Sequence, residues 1–124
     1  MFGRTRSESG QLAEQRARRY LSQQGLRHVA SNYRCKLGEI DLIMRTAQGE
    51  LVFVEVRYRH SASHGGALAS VDRHKQQRLI RAASHYLQQH RLHNSPCRFD
   101  VLALEGDQQG KIQIEWLRNA IETV

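Results

Sequence analysis

Two stretches decide how this chain folds: Gly38-Glu39-Ile40-Asp41-Leu42-Ile43 and, beyond a short gap, Leu51-Val52-Phe53-Val54-Glu55-Val56-Arg57. Both are dominated by aliphatic residues, and Thr46-Ala47-Gln48-Gly49 lies between them, the composition of two strands joined by a hairpin turn. Each stretch also carries carboxylates among its apolar residues. A carboxylate surrounded by valines gives up hydration that an unpaired anion needs, so a cation must stand beside it or one side must stay wet.

Working outward, the charge of the chain is divided by segment. Residues 1–36 carry eight Arg or Lys against Glu8 and Glu14, and residues 57–93 carry seven against Asp72 alone. Between them, residues 37–56 set Arg45 against Glu39, Asp41, Glu50 and Glu55, within a chain of net charge +7. An acidic centre flanked by basic segments suits a polyanion held by its phosphates while cations gather at one point along it. Arginines that only keep a small protein soluble would give the same totals.

A chain of 124 residues is long enough for one core without disulfides or structural metal, so residues 1–124 read as a single domain. Cys35 and Cys97 lie far apart with no Cys-x-x-Cys, which argues against zinc and gives no support to a disulfide. The basic start, Met1-Phe2-Gly3-Arg4-Thr5-Arg6, is followed by no apolar run of signal-peptide length, and no later segment approaches a membrane span. A cytoplasmic protein is expected.

Residues 1–8 are expected to fray. Leu12, Ala13, Ala17, Tyr20 and Leu21 then recur at helical spacing until Gly25 offers a stop, with Glu14 at the edge of the apolar stripe, where it can be aimed at a sheet. Strands follow at 26–35, 39–45 and 51–58. The connection 59–69, with His60, His64, Gly65 and Gly66, reads as a mobile loop, either binding or disordered. Ser70 is a candidate N-cap for a second helix striped by Leu79, Ala82, Ala83, Tyr86 and Leu87, running to about Arg91. Lys75 extends that stripe toward the helix start, either as an ammonium near the sheet or as a snorkelling surface lysine. Arg98–Leu104 reads as a fourth strand and Lys111–Leu117 as a fifth. The order helix, three strands, helix, then one or two strands describes an α/β protein with a mixed central sheet and a crossover helix.

Residues two apart on a strand share a face, which groups Glu55 with Arg57 and Glu39 with Asp41. If the neighbouring strands bring Asp41 and Glu55 together, their oxygens, the Val56 carbonyl and some waters form a hard-ligand cage suited to Mg²⁺ or Mn²⁺, with Arg57 facing a phosphate. Taken alone, Glu39 and Asp41 are also what a strand with one wet face shows. Glu55 interrupts a longer apolar run, although an ion pair with Arg57 or Arg59 would satisfy it. Asp100 reads as structural, and His60 and His64 lack the helix that makes such a pair a metal motif.

Gly38-Glu39-Ile40-Asp41-Leu42-Ile43, Val52-Phe53-Val54-Glu55-Val56-Arg57-Tyr58-Arg59 and Arg98-Phe99-Asp100-Val101 together resemble the YraN-like family of bacterial proteins. The likeness spans nearly the whole chain, including Glu14 and Leu21 in the first helix and Lys75 in the second. That family is similar to the PD-(D/E)XK nuclease superfamily, nearest to Holliday junction resolvases. The resemblance implies a restriction-endonuclease-like core in which Asp41 and Glu55 are metal-binding acids, Arg57 replaces the usual lysine, and Glu14 is the first-helix glutamate; Glu14 is thereby a further candidate ligand, as is Glu39 from its place on the face of Asp41.

Arginine cannot give up its proton near neutral pH, so Arg57 is excluded as a base but remains suited to bracing an oxyanion. The chemistry implied is metal-assisted phosphodiester hydrolysis with Mg²⁺ or Mn²⁺ as cofactor, Glu14 orienting a second metal or a water. Arg34, Lys36, Arg59, Lys75 and Arg78 are the candidate nucleic-acid contacts, with DNA ahead of RNA as substrate. The alternative is a nucleic-acid-binding module that keeps the fold and does not cut. A third reading is an interaction protein docking through the second helix. A symmetric junction needs two cuts, so resolvase activity would call for a homodimer.

Overall fold

The protein is described by a computed structural model over residues 6–59, 70–107 and 109–122. The chain runs α1 (Arg6–Gln23), β1 (Arg27–Cys35), β2 (Gly38–Arg45), β3 (Leu51–Arg59), α2 (Arg73–Gln89), β4 (Cys97–Gly106) and β5 (Ile112–Leu117). The five strands form one sheet in the order β1-β2-β3-β4-β5. Only β3 and β4 pair in parallel, the other neighbours being antiparallel. Parallel strands cannot be joined by a tight turn, and α2 lies in the connection between this pair. The order and the mixed sheet expected from the sequence are those of the structure.

β3 is apolar on both faces because both are covered. Leu51 and Phe53 pack with Leu79, Ala82, Ala83 and Tyr86 of α2, together with Ile43, Phe99 and Val101. Val52 and Val54 pack on the opposite face with Ala17 and Leu21 of α1, Leu42, Met44, Leu102 and Leu104. Burial of such side chains contributes roughly 1.5–3 kcal/mol each before entropy is counted.

Three local features fix the helices. At the end of α1, Gly25 adopts φ +99°, the left-handed region that glycine enters without strain, and Leu26 N–H bonds back to the Leu21 carbonyl at 3.0 Å. α2 is capped by Asp72, whose carboxylate accepts from Lys75 N–H at 2.9 Å. The expected cap, Ser70, lies two residues too early and instead accepts a hydrogen bond from Arg57 Nε. α2 then crosses β2 at Gly38, where an added Cβ would stand 2.0 Å from the Arg78 carbonyl oxygen. Only hydrogen fits there.

Other expectations shift modestly. α1 begins at Arg6, within the stretch expected to fray, and β5 begins one residue after the expected Lys111. Arg59 is the last residue of β3, while His60 and His64 lie outside the described residues. Cys35 and Cys97 are free, and no described helix is long and apolar enough to cross a membrane. Asp100 is fully buried, accepting from Arg98 Nε at 3.1 Å, Trp116 Nε1 at 2.8 Å and Asn119 N–H at 2.8 Å. Arg98 also reaches Glu50 at 3.2 Å. Asp100 thus ties β4 to β5 and to the chain after it.

Candidate active site

The sheet opens between β2 and β3. Their ladder runs from Arg45↔Leu51 to Leu42↔Val54 and stops, whereas β1 stays paired with β2 to Cys35↔Gly38 and β3 stays paired with β4 to Arg59↔Glu105. Past Leu42 the two central strands therefore form a fork, each still held by its outer neighbour. Asp41 stands at the branch point. Its Oδ2 accepts from Val56 N–H at 2.8 Å, taking a bond that the ladder would otherwise make.

A break in the alternation of β2 puts the carboxylate there. Ile40 packs on the α2 side of the sheet and Leu42 on the α1 side, although residues two apart on a regular strand share a face. Asp41 lies at the reversal and is turned edgewise to β3. In an antiparallel ladder the N–H and C=O of one residue point to the same neighbour. The Val56 carbonyl is thus directed into the fork alongside its N–H.

Asp41 is half-buried, and its carboxyl is pushed up to about 8, first by burial and then by the charge of Glu55. Glu14 and Glu39 add to the push, and the Val56 N–H opposes it. Glu55 is raised by burial, against the pull of Arg57 and Lys75. Arg57 Nη1 stands 3.6 Å from Glu55 Oε2, and its Nε donates to Ser70 Oγ at 3.2 Å. The guanidinium is thereby held on two sides.

Glu14 approaches from the other face. α1 turns Gln11, Glu14 and Arg18 toward Ser31 and Asn32 of β1. A cavity of about 220 Å³ lies among Glu14, Asn32, Arg34, Glu39 and Asp41. The Glu14 carboxyl is raised by burial and by Glu39, and lowered by a hydrogen bond from Asn32 and by Arg34. Asn32 makes this contact from a left-handed backbone, φ 54°, in the middle of a strand. Non-glycine residues rarely take that conformation, and asparagine takes it most readily.

The structure brings some of the expected residues together and separates others. Asp41 and Glu55 interact directly through their charges, and Arg57 and Lys75 lie beside Glu55. Glu39 is turned outward to Arg34 at 3.6 Å, both largely exposed. Among the described residues no three His, Cys, Asp or Glu stand close enough to hold one metal ion. Lys36 is exposed in the β1–β2 turn and Arg78 is half-buried on α2. Arg59 pairs with Glu105 at 3.3 Å. Two contacts escaped the sequence reading, that of Asn32 with Glu14 and that of Ser70 with Arg57. Asn32 left a trace, being an asparagine inside a strand segment; Ser70 left none, since its bond to Arg57 depends on how the chain returns to the sheet.

The donors at the fork fit a hard divalent cation in kind: Asp41, whose affinity for a proton the charge of Glu55 raises, Glu55 itself, and the Val56 carbonyl that strand geometry directs to the same side. Carboxylates pressed together in this way favour either a proton or a metal ion.

The chain belongs to UPF0102, described as an uncharacterised protein family, whose profile matches residues 13–104. It is 52% identical over 118 residues to a UPF0102 protein of Alcanivorax borkumensis, covering 94% of each chain. A UPF0102 protein of Pseudomonas fluorescens is 48% identical over 124 residues, covering 99% of this chain and 100% of the relative. Among solved structures, SfsA of Pyrococcus furiosus in complex with Ca²⁺ is similar at a TM-score of 0.47 and 13% identity, with 90% of this chain matched to 64% of that one.

Proposed function

For this member of the UPF0102 family we propose a nucleic-acid-binding protein with a Mg²⁺- or Mn²⁺-dependent endonuclease-type site, resolvase-like and acting on DNA in preference to RNA, on a restriction-endonuclease-like core. The observation that carries the reading is the pair Asp41 and Glu55 at the mouth of the β2–β3 fork, two half-buried carboxylates beside Arg57 and Lys75. Asp41, Glu55 and the Val56 carbonyl are the groups to hold the ion. A bound ion supplies a Lewis acid and a water acidic enough to deprotonate near neutral pH.

Arg57, braced by Glu55 and Ser70, carries a fixed charge to set against the negative charge growing on the phosphoryl oxygens. Glu14, steadied by Asn32, orients water from the α1 side. Water adds to phosphorus as the ester bond breaks, and the leaving oxygen takes up a proton. Arg34, Lys36, Lys75 and Arg78, with Arg59 beyond the site, are the phosphate contacts of this reading. A junction substrate would recruit two copies related by a two-fold axis, and free cysteines accord with a cytoplasmic setting.

The second reading is a binder that no longer cuts. Its support is that no three acids gather among the described residues and that Arg57 cannot serve as a base. Calorimetry with Mn²⁺ separates the two. The nuclease reading expects saturable binding that Asp41→Ala and Glu55→Ala abolish, and cleavage of labelled four-way junctions, single strands or duplexes that Glu55→Ala removes. Nucleic-acid binding without either result leaves the second reading standing; equal cleavage by wild type and Glu55→Ala means a contaminating nuclease.

A further inference from the structure

α1 packs across β1, β2, β3 and β4, and a groove of about 450 Å³ stays open between its outer flank and the edge strand β5. The lining of this groove has two parts. Leu12, Ile112 and Ile114 give it apolar surface together with the ring of Tyr20, while Arg16 and Arg19 supply charge from exposed positions on α1. No acidic residue lines it among the described residues. Glu14, the carboxylate of α1 nearest in sequence, is turned to the opposite flank against Ser31 and Asn32.

The aromatic part is anchored. Tyr20 meets Trp116 edge to face with ring centroids 6.3 Å apart, and Trp116 is fixed by its hydrogen bond to buried Asp100. Arg118 lies over the Trp116 ring at 4.0 Å, adding a third cation on this side of β5. A groove with apolar and aromatic surface and cationic margins has a specific chemical complement. The ligand must offer flat apolar faces and negative charge within one short segment.

We propose that the groove between α1 and β5 is a second nucleic-acid contact and that it takes an unpaired strand. A duplex turns its phosphates outward and hides its base faces, so it would leave Ile112, Ile114 and Tyr20 without a partner and gain little from this groove. Unpaired nucleotides expose both, and stacking on aromatic rings with arginines along the backbone is how sequence-tolerant single-strand binding is built. A second copy of the chain is a poor complement, because two-fold pairing across this flank would set the same arginines against each other. α1 stands as a ridge between this groove and the Glu14 side of the fork. The two contacts therefore suit a substrate with a single-stranded portion next to the position to be cut. This role presupposes that the protein binds nucleic acid, but not that it cuts.

The test is fluorescence anisotropy in EDTA, which removes metal from the question. The probes are a labelled oligothymidylate of about 12 nucleotides, within the span of known single-strand sites, and a duplex of equal length. Wild type is compared with the doubly substituted R16S/R19S protein, whose changes are on exposed positions and whose folding is checked by its melting curve. Single-strand affinity is expected to fall by roughly tenfold, with the slope of log affinity against log salt smaller by about 0.7 for each phosphate that the variant leaves unneutralised. Duplex affinity should change less than about twofold, since base stacking and its cationic margin serve unpaired strands. Photocrosslinking of an iodouracil-containing strand should map to Tyr20. Equal loss for both probes, no loss for either, or crosslinks confined to the fork would overturn the proposal while leaving the metal site untouched. A change in molecular mass of the variant by light scattering would assign the groove to a second copy, and tighter capture of an acidic peptide than of the oligothymidylate would assign it to a protein partner; either overturns it. Failure of the wild type to bind both probes removes the nucleic-acid reading as well, whereas Mn²⁺ calorimetry alone decides the metal site.

Discussion

Asp41 holds its proton more tightly in the folded protein than in the unfolded chain, its carboxyl being pushed up to about 8. A raised carboxyl makes folding most favourable at low pH, with that contribution lost as pH climbs from the unfolded value near 3.9 through about 8, at up to about 1.4 kcal/mol per pH unit. Metal-free protein should therefore melt at lower temperature at pH 8 than at pH 5. Asp41→Asn, which can still accept from Val56 N–H, should flatten that dependence, and Mn²⁺ should restore stability at high pH in the wild type only. An Asp41→Asn profile parallel to wild type would show that the charge at the fork is not what titrates. Asn32 offers a separate test. Asn32→Gly accepts φ 54° with ease, so the fold should survive, but Glu14 loses the hydrogen bond that lowers its carboxyl. Carboxyl NMR should then find Glu14 titrating at higher pH than in wild type.

At the scale of elements, α2 reaches the fork because nothing keeps it away from β2. Gly38→Ala would place a carbon 2.0 Å from the Arg78 carbonyl, a backbone atom that cannot swing aside, so α2 must move and carry Lys75 with it. Chemical denaturation should register a loss of about 3 kcal/mol, at the upper end for overpacking. The elements themselves were legible: the stripe Leu79, Ala82, Ala83, Tyr86 is what α2 buries, and the run Leu51–Val54 is the strand covered on both faces. The cap was misread because Ser70 and Asp72 both have capping side chains and only chain geometry chooses between them. The fork was not legible at all. Glu39-Ile40-Asp41-Leu42 alternates regularly in sequence, and the reversal of face at Asp41 arises from two separate cores drawing Ile40 and Leu42 to opposite sides. Spacing grouped Glu55 with Arg57 and Glu39 with Asp41; the fold keeps Glu55 beside Arg57 and sets Glu39 against Arg34 at the rim of the cavity that Asp41 also lines.

For the molecule as a whole, the far side of the sheet is held by one buried anion. Asp100 satisfies Arg98, the Trp116 indole and the Asn119 amide, and Ala120 N–H closes onto the Phe99 carbonyl at 2.8 Å. Removing one partner of such a network leaves uncompensated groups behind, at about 3–5 kcal/mol. Asp100→Ala should approach that loss in denaturant melts and free the indole, seen as a red shift in tryptophan emission; since this chain has a single tryptophan, the signal reports this site alone. The spatial order of the strands also repeats their order along the chain, β1 to β5. Each ribbon can thus zip onto its predecessor as it leaves the ribosome, with the one long wait at the crossover spanning 60–96. Closing that span should set the refolding rate, because it alone demands a distant encounter before any new pairing rewards it.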